Sequence, residues 1–169
     1  MPLLGMGMAA TILVGQYQGA RKPATAERAG VTALKIGWAY MGVVALSFLL
    51  FPQPYFSLFT GDAPGMVTLG EVLDKGRWLL AMMALWGLLD AINLILGGAL
   101  KGAGDTRFVL VYSALATWLI WMPGELVLLL WLDAGLMAAG LWMTLVVFLL
   151  AGGFWLRFKR GKWKAIEMI

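Results

Sequence analysis

Apolar residues in this chain come in long runs broken by short polar stretches. Five runs stand out: Met1–Ala20, Gly30–Phe51, Trp78–Leu100, Phe108–Leu132 and Ala134–Phe158. A bilayer core about 30 Å thick needs about 20 apolar residues wound as α-helix. Each run is therefore long enough to cross. None alternates with period two, so the strands of a membrane barrel are excluded. Helices are what remains, since lipid offers no partner to an unpaired backbone group. The predicted fold class is all-α, a polytopic membrane helix bundle with five transmembrane helices.

The breaks have the chemistry of helix ends. Arg21-Lys22-Pro23 stops the first span and Pro52-Gln53-Pro54 the second, because proline cannot donate in a helix ladder. Gly102-Ala103-Gly104-Asp105-Thr106 combines a glycine-rich stop with Asp105 as a predicted N-cap for span four. Asp133 is placed to cap span five, and Pro123 predicts a kink inside span four.

Composition agrees. The chain has 169 residues, 62% hydrophobic and 13% charged, with mean hydropathy +0.84. A soluble domain carries about 25% charged residues, and one of this size has too little interior to hide so much apolar surface. Cysteine and histidine are both missing. That excludes disulfides, thiolate metal sites, cysteine nucleophiles and imidazole bases. No cofactor is expected, and an enzyme is disfavoured.

The net charge of +4 could suggest nucleic acid, but the placement of the charges gives another answer. If five spans cross in turn, eleven of the thirteen basic residues fall on one side. They are Arg21, Lys22, Arg28, Lys35, Lys101, Arg107 and the tail residues Arg157, Lys159, Arg160, Lys162 and Lys164. Only Lys75 and Arg77 fall on the other. By the positive-inside rule the first loop, third loop and tail face the cytoplasm. The basic tail reads as an anchor beside anionic lipid, not as a nucleic-acid patch. The expected partner is the bilayer of the inner or plasma membrane. The first span starts outside with no basic leader, which suggests a piece of a longer protein.

Two acids lie within spans. Asp90 is ten to twelve residues from either end of span three, about 15–18 Å at 1.5 Å per residue. An ionised Asp at the bilayer centre costs about 2.5–3.5 kcal/mol on the insertion scale. Trp86, Asp90, Asn93 and Gly97 share one helical face. An aromatic wall, a carboxyl, an amide and a gap can hold a cation or exchange a proton. The plainer reading is a protonated Asp making one interhelical hydrogen bond. Glu125, about 10 Å inside the outer end of span four, follows Pro123-Gly124, where a freed backbone group is one candidate partner. Snorkelling to the interface is its plainer reading. Thr11, Gln16 and Gln18, with Gly5, Gly15 and Gly19, read as helix packing. The glycine-rich turn at 97–105 lacks a GK[ST] ending and a preceding strand, so it is no phosphate loop.

Two stretches carry a resemblance. Pro2 to Ala20 reads P-x2-G-x3-A followed by Val14-Gly15-Gln16-x2-Gly19-Ala20. Span three has Asp90-Ala91, then Gly98-Ala99-Leu100-Lys101-Gly102-Ala103-Gly104-Asp105-Thr106-Arg107. With Arg157-Phe158-x2-Gly161-x-Trp163, they are similar to the multidrug and toxic compound extrusion (MATE) transporters. The resemblance implies a twelve-helix protein of two six-helix lobes, of which these spans look like helices eight to twelve. Residues 1–158 are then a partial second lobe and residues 159–169 a basic cytoplasmic tail. It implies antiport of cationic or amphiphilic drugs against Na⁺ or H⁺, by rocking of the lobes around a midplane cavity. Asp90 matches the acid that some members carry in the tenth helix, within the second lobe's cation site. Trp86, Asn93, Gly97 and Glu125 are candidate cavity residues. The expected partners are a small cationic substrate and the first lobe of the same protein. A lipid-linked oligosaccharide or polysaccharide flippase of the same superfamily, and a non-transporting membrane scaffold, are the alternatives. The flippase is disfavoured because no Lys or Arg lies deep within a span.

Overall fold

The computed structural model describes residues 2–57, 69–132 and 135–166, with the side chains of 69–75 and 136 left aside. The helices are α1 (Pro2–Gly19), α2 (Pro23–Leu50), the short α3 (Pro52–Ser57), α4 (Leu69–Gly102), α5 (Thr106–Leu115), α6 (Met122–Leu126) and α7 (Gly135–Lys159). Two π-helical turns, Ala116–Trp121 and Val127–Trp131, join α5 to α6 and extend α6. A 3₁₀ turn at Lys162–Ala165 follows α7. Among the described residues there is no strand.

Four helical stretches are long and apolar enough to cross a membrane: Pro23–Leu50, Gly76–Gly102, Thr106–Trp131 and Met137–Lys159. The chain is a multi-pass membrane protein. The fifth expected span, Met1–Ala20, is the helix α1 but is not among these four. Its 18 residues reach about 27 Å, and Gln16, Tyr17 and Gln18 make its last turn polar.

Helix α4 is the axis of the bundle, with α1, α2 and α7 packed along it. The α1–α4 seam is built from small residues. A Cβ on Gly7 would lie 2.9 Å from the Leu94 carbonyl oxygen, one on Gly98 2.6 Å from that of Gly7, and one on Gly15 3.1 Å from that of Gly102. Gly98-xxx-Gly102 thus meets Gly7-xxx-Thr11-xxx-Gly15, a small-residue seam that lets two backbones touch. Of the glycines expected to pack, Gly15 does so. Gly5 faces open space and Gly19 is exposed. Thr11 donates its hydroxyl back to the Gly7 carbonyl at 2.9 Å, which satisfies it without a partner helix.

The helix ends follow from the breaks. At the end of α4 the Gly104 amide donates to Lys101 and the Asp105 amide to Leu100, with Gly104 at φ +85°. This closing pattern needs a left-handed residue, which glycine supplies at little cost. Arg21 occupies the same position after α1 at φ +55°, and Pro23 then opens α2. At Pro123 the structure shows π-helical turns on either side. A proline cannot donate to the preceding turn, and wider turns absorb the mismatch. The predicted cap at Asp133 lies outside the described residues.

The buried core sits at one end of the bundle. Val14, Ala26, Ile95, Leu96, Ala99, Leu100, Phe154, Phe158 and Trp163 meet where α1 ends, α2 begins, α4 ends and the tail returns. The tail is docked there: Trp163 has no exposed surface and stacks on Phe158 with ring centroids 5.2 Å apart. Elsewhere large apolar side chains face outward, as a lipid-immersed bundle requires.

Candidate functional site

The stripe on α4 is where the sequence places it. At 100° per residue, Trp86, Asp90, Asn93 and Gly97 fall on one side of the helix. Leu94 and Gly98, just to one flank, meet α1. Asn93 and Gly97, on the other flank, meet α7. The Asn93 amide nitrogen donates to the Val147 carbonyl at 3.4 Å, and a Cβ on Gly97 would touch the Phe154 ring at 3.4 Å. Helix α2 covers the opposite side, where the Trp38 indole donates to the Leu88 carbonyl at 3.1 Å and Ile95 lies against Gly37. Asp90 is thus half-buried between the lines along which α1 and α7 pack. Its carboxyl has no hydrogen-bond or ion-pair partner among the described residues, so the interhelical bond of the plainer reading is not made here.

Two further polar atoms on this stripe are buried without partners, the Trp86 Nε1 and the Asn93 Oδ1. An unmet buried polar atom costs about 1–3 kcal/mol. Asp90 and Asn93 together present carboxylate and amide oxygens, which suit a hard cation. Trp86 supplies a donor and an aromatic edge. No group of three acid, His or Cys side chains able to hold a metal converges among the described residues.

Glu125 stands apart from this stripe. Helix α6 packs on α7 and on its flanking π turns. The Glu125 side chain is half-buried, and its Oε2 is buried with no hydrogen-bond partner among the described residues. A backbone carbonyl nearby is engaged by another helix. The carbonyl of Trp121, which ends the first π turn, accepts the Trp142 indole N–H at 3.2 Å.

Sequence reasoning missed two polar clusters at the core end. Asp105 does not cap α5 with its side chain. Its carboxylate is taken by Arg157 of α7, Nε to Oδ2 at 2.7 Å and Nη2 to Oδ1 at 3.2 Å, and the guanidinium lies over the Phe108 ring at 4.7 Å. Gln18, read as packing, is 8% exposed and donates to the carbonyls of Lys164 and Ile166 at 3.1 Å each and to Trp163 at 3.5 Å. These contacts span some 50 and 145 positions of sequence, so only the fold reveals them.

Comparison with known proteins adds the family. The MatE family model matches residues 1–127. The chain belongs to the MATE family. A protein of Bradyrhizobium diazoefficiens named probable multidrug resistance protein NorM is 34% identical over 158 residues, covering 92% of the MATE chain and 33% of that protein. A Deinococcus radiodurans protein of the same name is 33% identical over 166 residues, covering 94% and 36%. A multidrug resistance protein NorM of Burkholderia vietnamiensis is 32% identical over 145 residues, covering 84% and 30%. The MATE chain spans about a third of the length of these relatives. No solved structure matches it.

Proposed function

We propose that this chain is part of a multidrug exporter that moves cationic or amphiphilic compounds out through the cell membrane in exchange for Na⁺ or H⁺. The observation that carries the reading is the α4 stripe, a midspan carboxyl beside two unpartnered buried polar atoms. The names of the relatives, multidrug resistance proteins, support the cargo class.

Asp90 is the coupling residue. A cation or proton on its carboxyl removes the charge that lipid disfavours and stabilises one arrangement of the lobes. A cationic drug is favoured in the other arrangement, where that charge is free. Exchange then follows from differential affinity for two states. The Asn93 amide oxygen is the second ligand in the Na⁺ version, and Trp86 walls the site. The remainder of the protein, a first lobe, closes the cavity, and the basic end of this chain faces the cytoplasm.

Asp90→Asn in the full-length protein tests the proposal. The expected result is loss of dye efflux driven by a Na⁺ or H⁺ gradient, with protein in the membrane at ordinary abundance. Efflux with unchanged ion dependence overturns the site. A scaffold, by contrast, tolerates even Asp90→Leu.

A further inference from the structure

The end of the bundle that carries the core also carries an unbalanced charge. Among the described residues its acids are occupied: Asp105 is held by Arg157, and Glu27 by Lys164 at 2.6 Å. Among the described residues, Arg21, Lys22, Arg28, Lys101, Arg107, Lys159, Arg160 and Lys162 make no ion pair. Two of these free cations, Lys101 and Arg107, line one groove of about 460 Å³ where α4 turns into α5. The other walls are Thr106, Val109, Leu110 and Ser113.

The groove is graded in polarity. Lys101, Thr106 and Arg107 cluster at the helix ends. Ser113 lies seven residues further along, about 10 Å deeper at 1.5 Å per residue. Between them Val109 is buried and Leu110 is 70% exposed, turned outward with Val111. A soluble anion would use the cations and leave Leu110 idle. A membrane lipid would use both: a phosphate between two cations at the helix ends, and an acyl chain along Leu110 in the hydrocarbon. Basic clusters beside spanning helices attract anionic leaflets by about 1 kcal/mol per Lys or Arg.

We propose that the Lys101–Arg107 groove is a binding site for one anionic phospholipid of the leaflet that this end faces. The lipid phosphate sits between the Lys101 ammonium and the Arg107 guanidinium, with Thr106 as a hydroxyl donor. Held there, it braces the α4–α5 turn against α7, whose Arg157 is already engaged by Asp105. The site is separate from the Asp90 stripe, about one long helix-half away on α4, and stands whether or not that stripe couples transport.

The test is lipid-dependent melting of the full-length protein in dodecyl maltoside. Dimyristoyl phosphatidylglycerol is titrated against dimyristoyl phosphatidylcholine. The expected result is a rise in melting temperature with the anionic lipid alone. The double variant K101Q/R107Q, both residues exposed, melts normally without lipid and binds phosphatidylglycerol about thirtyfold more weakly, the attraction of two basic residues. The double variant K159Q/R160Q, exposed cations outside the groove, keeps the response, and inorganic phosphate gives none. Equal loss in K159Q/R160Q makes the attraction a diffuse field and overturns the site. So does a shift with inorganic phosphate, which makes it a free-anion site, or no shift with phosphatidylglycerol.

Discussion

Removing the carboxylate of Asp105 isolates the bidentate ion pair that ties α7 to the α4–α5 turn. Both contacts to Arg157 are charge-assisted, at 2.7 and 3.2 Å. The Asp105 side chain is 7% exposed and that of Arg157 25%. Breaking a fully buried pair costs about 3–5 kcal/mol, because the orphaned charge has no water. Here the guanidinium keeps a quarter of its surface and a place over Phe108, which lowers the expected loss for Asp105→Ala to about 2–3 kcal/mol. The full-length protein is unfolded reversibly in mixed micelles of increasing denaturing detergent. Asp105→Ala, Arg157→Ala and the double variant close a thermodynamic cycle. The expected coupling energy is about 1.5–2 kcal/mol, little changed by 0.5 M salt because one partner is buried. The Glu27–Lys164 pair is the control. Its side chains are 38% and 34% exposed, so its coupling is under about 1 kcal/mol and falls with salt. A coupling below about 0.5 kcal/mol for Asp105–Arg157 refutes the view that this pair holds α7 to the α4–α5 turn.

Further outcomes follow from the same geometry. Gln18→Leu removes three backbone contacts to the tail. The tail then frays, and limited trypsin digestion cuts at Lys162 and Lys164 faster than in the wild type; an unchanged digestion rate contradicts the clamp. Trp163→Ala empties a fully buried ring site and destabilises by about 3–5 kcal/mol, read in the same micelle titration. Gly98→Ala sets a methyl 2.6 Å from the Gly7 carbonyl oxygen, forces α1 off α4 and costs about 1–3 kcal/mol. Gly5→Ala, in open space, is its silent counterpart.

Chain-local physics determined the elements. The apolar runs, the prolines at 23 and 52 and the glycines at 102 and 104 fix where helices start and stop, since each acts on its own backbone. The stripe of Trp86, Asp90, Asn93 and Gly97 was equally legible, because helical periodicity alone places it. The family resemblance was carried by short contiguous motifs and is matched by the family comparison. Other features depend on distant residues and became visible only in three dimensions. Asp105 reads as a helix cap until Arg157 arrives from 52 positions away. Gln18 reads as filler until the tail folds back over it. The Trp142 indole, 21 positions along, reaches back to the Trp121 carbonyl beside the Pro123 turn. A side chain's partner is decided by which helices pack together, and packing is a property of the whole bundle that no local pattern encodes.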